Sequence, residues 1–111
     1  MTVNLTYTGE FKRNLRQLLK KYPQIRNDIE PVLLALQQGE QLGDRIQQNQ
    51  YCVYKLRVKN SSAQRGKSGG YRIIYYLQTQ ADIVLLTIYS KSEQSDISSA
   101  EIKRIIKQFT N

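Results

Sequence analysis

Two runs in the second half of the chain, YRIIYYLQT and IVLLTIYSK, constrain the fold more than any other feature. Both are apolar and rich in β-branched and aromatic residues, which marks them as buried strands. Only the turn QTQAD joins them. A parallel pairing needs a crossover of a dozen or more residues, so these strands are antiparallel neighbours. A third strand, YCVYKLRV, precedes them. Between it and the hairpin lies Asn60 to Gly70, a loop carrying Arg65, Lys67 and the Gly69–Gly70 pair.

The rest of the chain supplies one more strand and three helices. In VNLTY, the residues Val3, Leu5 and Tyr7 alternate with polar ones, the period of a half-buried strand. Thr8 then caps a helix whose apolar face is Phe11, Leu15, Leu18, Leu19 and Tyr22, and Pro23 ends it. A second helix shows Ile25, Ile29, Val32, Leu33 and Leu36, with QQGEQLG closing it. Pro31 falls inside this span, so either the helix kinks there or a new one starts near Glu30. Ile102, Ile105, Ile106 and Phe109 define a last amphipathic helix, capped by Ser98 or Ser99. The expected order is β-α-α-β-β-β-α. It describes a single α+β domain over residues 1–111, an antiparallel sheet of about four strands with helices packed on one face. No repeat or linker interrupts it.

Charge is distributed unevenly. The net charge of +8 comes from 17 basic and 9 acidic residues, yet no acid falls between Asp44 and Asp82. Seven cations do: Arg45, Lys55, Arg57, Lys59, Arg65, Lys67 and Arg72. Solubility does not require so long an exclusion of one sign, and a polyanionic partner explains it better. No apolar run approaches the ~20 residues that span a bilayer, so no membrane partner is expected. The start MTVNLTYTGEF has neither the basic nor the apolar region of a signal peptide. With Cys52 the sole cysteine, a reducing cytoplasm is the expected location.

Strand alternation groups these cations. In the second strand, Cys52, Tyr54, Leu56 and Val58 are expected to face the helices, with Tyr51, Val53, Lys55, Arg57 and Lys59 opposite. In the third, Arg72 shares a side with Ile74 and Tyr76, while Tyr71, Ile73 and Tyr75 take the other. With Arg72 on the open face, Lys55, Arg57, Arg72 and Lys91 converge at one end of the sheet, below the basic loop.

Together, YKLRV, GGYRIIYYL, LLTIYSKSE and the terminal AEIKRII, in this order, resemble the RelE/HigB-like toxins of the RelE/ParE superfamily. GKSGGYRIIYY and LLTIYSKSEQSDI look most like the branch with a long basic loop. The resemblance covers most of the chain. It implies a ribosome-dependent mRNA endoribonuclease, an mRNA interferase of a type II toxin–antitoxin system. Its partners would be a cognate antitoxin, mRNA in the ribosomal A site and ribosomal RNA, with operator DNA bound through the antitoxin. By the same resemblance Lys55, Arg57 and Arg72 fall on catalytic positions, and Lys91 lies in the matching strand-end segment.

The residue types suit that chemistry. Cleavage by a 2′-hydroxyl needs a proton acceptor and stabilisation of the phosphoryl oxygens. Histidine, the usual proton carrier, is absent. With one cysteine and no acid in the basic interval, no metal or other cofactor is expected. Arginine grips two phosphoryl oxygens and keeps its charge. Lysine acts as a base only where crowded cations depress its pKa, and Lys55 beside Arg57 is so placed. Lys59, Arg65 and Lys67 are expected to bind the RNA backbone. Tyr71 and Tyr89 are candidates to stack on bases, against the alternative that they are core. Two positions depart from the RelE pattern: Ser92 replaces an arginine and Ser98 a catalytic tyrosine. GKS at Gly66 to Ser68 is not a phosphate-binding P-loop, since Ser61 stands where a glycine is required and a strand follows. A ParE-like gyrase inhibitor, with no nuclease activity, and a plain nucleic-acid-binding module are the alternatives.

Overall fold

The computed structural model describes residues 2–47, 50–62 and 70–110. Its elements run β1 (Asn4–Tyr7), α1 (Gly9–Lys21), α2 (Ile25–Gln37), β2 (Asp44–Arg45), β3 (Val53–Val58), β4 (Tyr71–Thr79), β5 (Asp82–Ser90) and α3 (Ser99–Thr110). The α+β class and the order of the long elements are those expected from the sequence. Among the described residues no helix is long and apolar enough to cross a membrane.

Thr8 ties the first strand to the first helix. Its hydroxyl oxygen accepts from the Phe11 N–H at 3.0 Å, the N-cap contact, and its O–H donates to the Leu86 carbonyl at 2.7 Å. The start of α1 is thereby bonded to β5. At the far end of α1 Tyr22 is the C-cap, just before Pro23. Pro31 lies inside a single continuous α2 and does not split it.

Three details differ from expectation. The sheet has five strands in the order β1-β5-β4-β3-β2. β2 is too short to show any hydrophobic period, and it pairs Asp44 with Lys55 and Arg45 with Tyr54. The sheet is also mixed, because β1 runs parallel to β5; the intervening helices and strands provide the long return that a parallel pair requires.

The helices, finally, occupy both faces. Phe11, Leu18, Ile25 and Leu36 of α1 and α2 pack with Leu56, Val58, Tyr71, Ile73, Tyr75 and Leu85. Ile102, Ile105 and Ile106 of α3 pack with the alternate strand residues Val53, Ile74, Val84 and Leu86. The physical reason is visible in β4 and β5. Successive residues such as Ile73, Ile74 and Tyr75, or Ile83 to Leu86, are all buried. A strand apolar at every position needs cover on both sides. Between Ile74 and Tyr75 the register with β5 shifts, passing from Thr87 to Leu85. Leu86 is the extra residue of that bulge.

Candidate active site

Register decides which cations meet. Arg57 of β3 lies directly opposite Arg72 of β4, and Arg72 directly opposite Tyr89 of β5. Cross-strand partners project from the same face, so these three side chains form one row across three strands. Alternation places the row on the α3 face, beyond the apolar patch that α3 covers. The face foreseen as open is therefore half covered, and the cations occupy its uncovered end. Like charges directly opposite one another weaken a sheet. Among the described residues neither Arg57 nor Arg72 forms an ion pair with a carboxylate. Arg57 is exposed, and Arg72 is half-buried with Nη1 donating to the Tyr71 carbonyl at 3.3 Å.

Gly70 shapes the approach to this row. Its φ of 87° belongs to the left-handed region, and a Cβ there would lie 2.7 Å from the Val58 carbonyl oxygen. Its own carbonyl accepts from the Lys91 N–H at 3.0 Å, which brings the end of β5 beside the start of β4. The glycine thus forms a bend at the strand's start. Gly69 lies outside the described residues. On the β3 side the loop stem is fastened to α2, where the Ser61 N–H donates to Asp28 Oδ2 at 3.0 Å.

Lys55 lies two residues before Arg57, on the same side of β3. Its Nζ is 3.4 Å from Asp96 Oδ1. Lys91 follows β5, and its Nζ donates to the Ser95 carbonyl at 3.3 Å. Asp96 is held below the usual carboxylate range by the Ile97 N–H first, then by the charges of Lys55 and Lys91. Lys55, Arg57, Arg72 and Lys91 are therefore gathered at one end of the sheet, as alternation foretold. Asp96 is the member that sequence reasoning missed. The crowding of Lys55 by cations alone does not hold, since a carboxylate sits against it.

The candidate RNA contacts divide three ways. Lys59 is exposed just past β3. Arg65 and Lys67 lie outside the described residues. Tyr71 is fully buried on the opposite face, edge-to-face with Tyr22 at 5.7 Å between ring centroids. Burial pushes its hydroxyl pKa up, and the ring is closed off from any base. Tyr71 is thus core and not a stacking platform. Tyr89 is on the cationic side but only 5% exposed. Burial raises its pKa too, with the charge of Asp96 adding to the rise and that of Arg72 opposing it. Its ring offers little surface for stacking, while its hydroxyl has no hydrogen-bond partner among the described residues.

The two departures also find places. Ser92 Oγ lies 2.9 Å from Ser90 Oγ, and hydrogen bonds from both lower the pKa of Tyr22. Ser98 caps α3 by accepting from the Glu101 N–H at 3.1 Å. A groove of about 860 Å³ between α1 and α2 is lined by Tyr7, Phe11, Leu15 and Leu33 among others. It contains none of the expected site residues.

The model of the family described as the RelE toxin of the RelE / RelB toxin-antitoxin system matches residues 42–110, from just before β2 to the end of α3. The matched span holds every cation of the site, and the chain belongs to the RelE toxin family, the toxin side of a toxin–antitoxin pair whose partner is a RelB-type antitoxin.

Proposed function

We propose that this toxin is an mRNA endoribonuclease that acts on the ribosome and halts translation by cutting the message. The observation that carries the reading is the pairing of Arg57 with Arg72 across β3 and β4, neither ion-paired to a carboxylate among the described residues, with Lys55 on the same side of β3 and Lys91 just past β5. A phosphodiester is the ligand such a cradle fits, because two planar forks can bind the non-bridging oxygens from neighbouring directions.

In this reading the 2′-hydroxyl of one nucleotide attacks the phosphorus that follows it. Negative charge grows on the phosphoryl oxygens, and Arg57 and Arg72 stabilise it from fixed positions on paired strands. Lys55 and Lys91 add positive charge at the edge of the cradle. Lys59, with Arg65 and Lys67 of the basic loop, holds the backbone on either side. The ribosome presents the codon in one orientation, and orientation alone is worth several powers of ten in rate. The RelB-type antitoxin keeps the toxin from its substrate until released.

Primer extension on translated mRNA tests this. Wild type should produce cuts within the reading frame, and Arg72→Ala should reduce them by about 10²–10³-fold, the loss typical of removing one charge-stabilising donor. Among the described residues the Arg72 side chain bonds only its neighbour's carbonyl, so the variant should melt at the wild-type temperature. Undiminished cuts by the variant would remove Arg72 from the mechanism. An absence of cuts by wild type would point to a binder or gyrase inhibitor.

A further inference from the structure

The cationic cradle lacks a visible proton acceptor, and the structure contains one candidate beside it. Asp96 stands between β5 and α3, 14 residues past Asp82 in sequence, yet in space it reaches Lys55. Among the described residues both of its side-chain contacts end on Oδ1: the Ile97 N–H at 2.8 Å and the Lys55 ammonium at 3.4 Å. Oδ2 takes no hydrogen bond among the described residues, and the side chain is 66% exposed. One oxygen is therefore held by the protein, while the other is left without a hydrogen bond among the described residues on a largely exposed side chain.

We propose that Asp96 is the general base of the cleavage, accepting the 2′-hydroxyl proton on Oδ2. This rests on the ribonuclease reading above. In the step, the 2′ O–H bond breaks and its proton goes to Asp96. The freed electron pair forms a bond from O2′ to phosphorus. The P–O5′ bond breaks, and the 5′ oxygen departs with the electron pair of that bond and takes a proton from water. A 2′,3′-cyclic phosphate and a 5′-hydroxyl result, and Asp96 then returns its proton to solvent.

The alternatives within the cradle are weaker. Lys55 must lose its proton to act as a base, whereas here it donates to a carboxylate. The Tyr89 hydroxyl holds its proton more tightly than an exposed tyrosine because it is buried. Asp44 is opposite Lys55 across the β2–β3 pair, at the sheet edge, and forms no ion pair among the described residues. Asp96 also suits neutral pH. The groups facing it are Lys55 from β3, Lys91 and Tyr89 from the end of β5, and the Ile97 N–H; of these the Ile97 N–H and the charges of Lys55 and Lys91 favour its ionised form. A weaker base is ready at all times, and the arginines lower the barrier it must help to cross.

Asp96→Asn separates this role from a structural one. The amide oxygen can still accept from Ile97 and Lys55, but it cannot take a proton. On ribosomes programmed with mRNA, the single-turnover rate should fall by about 10²-fold or more, the usual weight of a general base. Binding to the programmed ribosome should stay within about threefold of wild type, and Asp96→Glu should recover part of the rate. Because the folded-state pKa is depressed, the wild-type rate should show no acid limb where an ordinary aspartate protonates, only below it. Cleavage by Asp96→Asn within about threefold of wild type would overturn the assignment, as would a parallel loss of binding and rate. An acid limb at or above neutral pH would also overturn it, by naming a different acceptor. Inactivity of wild type itself would sink the ribonuclease reading, and this one with it.

Discussion

Two neighbouring rows of the sheet, one residue apart, end in opposite ways. The row Val58–Tyr71–Ser90 crosses β3, β4 and β5 on the α1–α2 side, and all three of its residues are buried. The row Arg57–Arg72–Tyr89 crosses the same strands on the other side and ends in two guanidinium groups. Apolar packing thus continues to the strand ends on one face and stops short on the other. The buried row fixes the backbone of the cationic row from the opposite face of the sheet. Stability and chemistry are consequently separable by the choice of adjacent residues. That separation can be tested most severely at positions 71 and 72.

Tyr71→Ala should cause the largest change in folding. It removes a fully buried ring that packs against Tyr22, and comparable truncations cost about 3–5 kcal/mol. Urea denaturation measures the loss. Arg72→Ala, one residue on, should leave the urea midpoint nearly where it was, because it relieves the repulsion from Arg57. If both variants lose similar stability, the two rows are not independent and the comparison fails.

Gly70→Ala should rank second, with an effect in both properties. The backbone there is left-handed, and the new Cβ would meet the Val58 carbonyl oxygen at 2.7 Å. Strain of this kind costs about 1–3 kcal/mol. Relieving it must move the start of β4, which shifts Arg72 relative to Arg57 and disturbs the Gly70–Lys91 hydrogen bond. Cleavage should therefore fall by more than the loss of folded protein explains. A variant that loses stability but retains its rate per folded molecule would show that the cradle tolerates backbone movement.

Much of this architecture was legible because strand alternation is strict. Placing Arg57 and Arg72 on one face required only the period of two and an antiparallel pairing. The same period puts Tyr71 on the other side from Arg72, so its assignment to RNA stacking conflicted with the pattern that located the arginines. The helices were expected on one face, although the runs IIYY and IVLL, apolar at every position, already demand cover on both. β2 was not, since two residues carry no period. Nor was Asp96. The segment SEQSDI has neither helical nor strand periodicity, and its position follows from how α3 docks against Val84, Leu86 and Ile74. Contacts set by the docking of one element on another leave no local trace.

The smallest expected effects come from a matched pair of substitutions. The hydroxyls of Tyr71 and Tyr89 are both buried with no hydrogen-bond partner among the described residues, and they lie on opposite faces. Burial raises the pKa of each, so both are neutral at physiological pH. An unsatisfied buried hydroxyl destabilises the folded state, so Tyr71→Phe and Tyr89→Phe should each be neutral or stabilising by up to about 1 kcal/mol. Thermal melting would detect that. Their effects on cleavage should part company. Tyr71 is enclosed by the α1–α2 core, and removing its oxygen should leave the rate unchanged. The Tyr89 hydroxyl feels the charges of Arg72 and Asp96, and its loss should slow cleavage by roughly severalfold through the altered field around them. Equal rates for the two variants would mean that the Tyr89 hydroxyl is as inert as its counterpart. The cationic row would then act through its arginines alone.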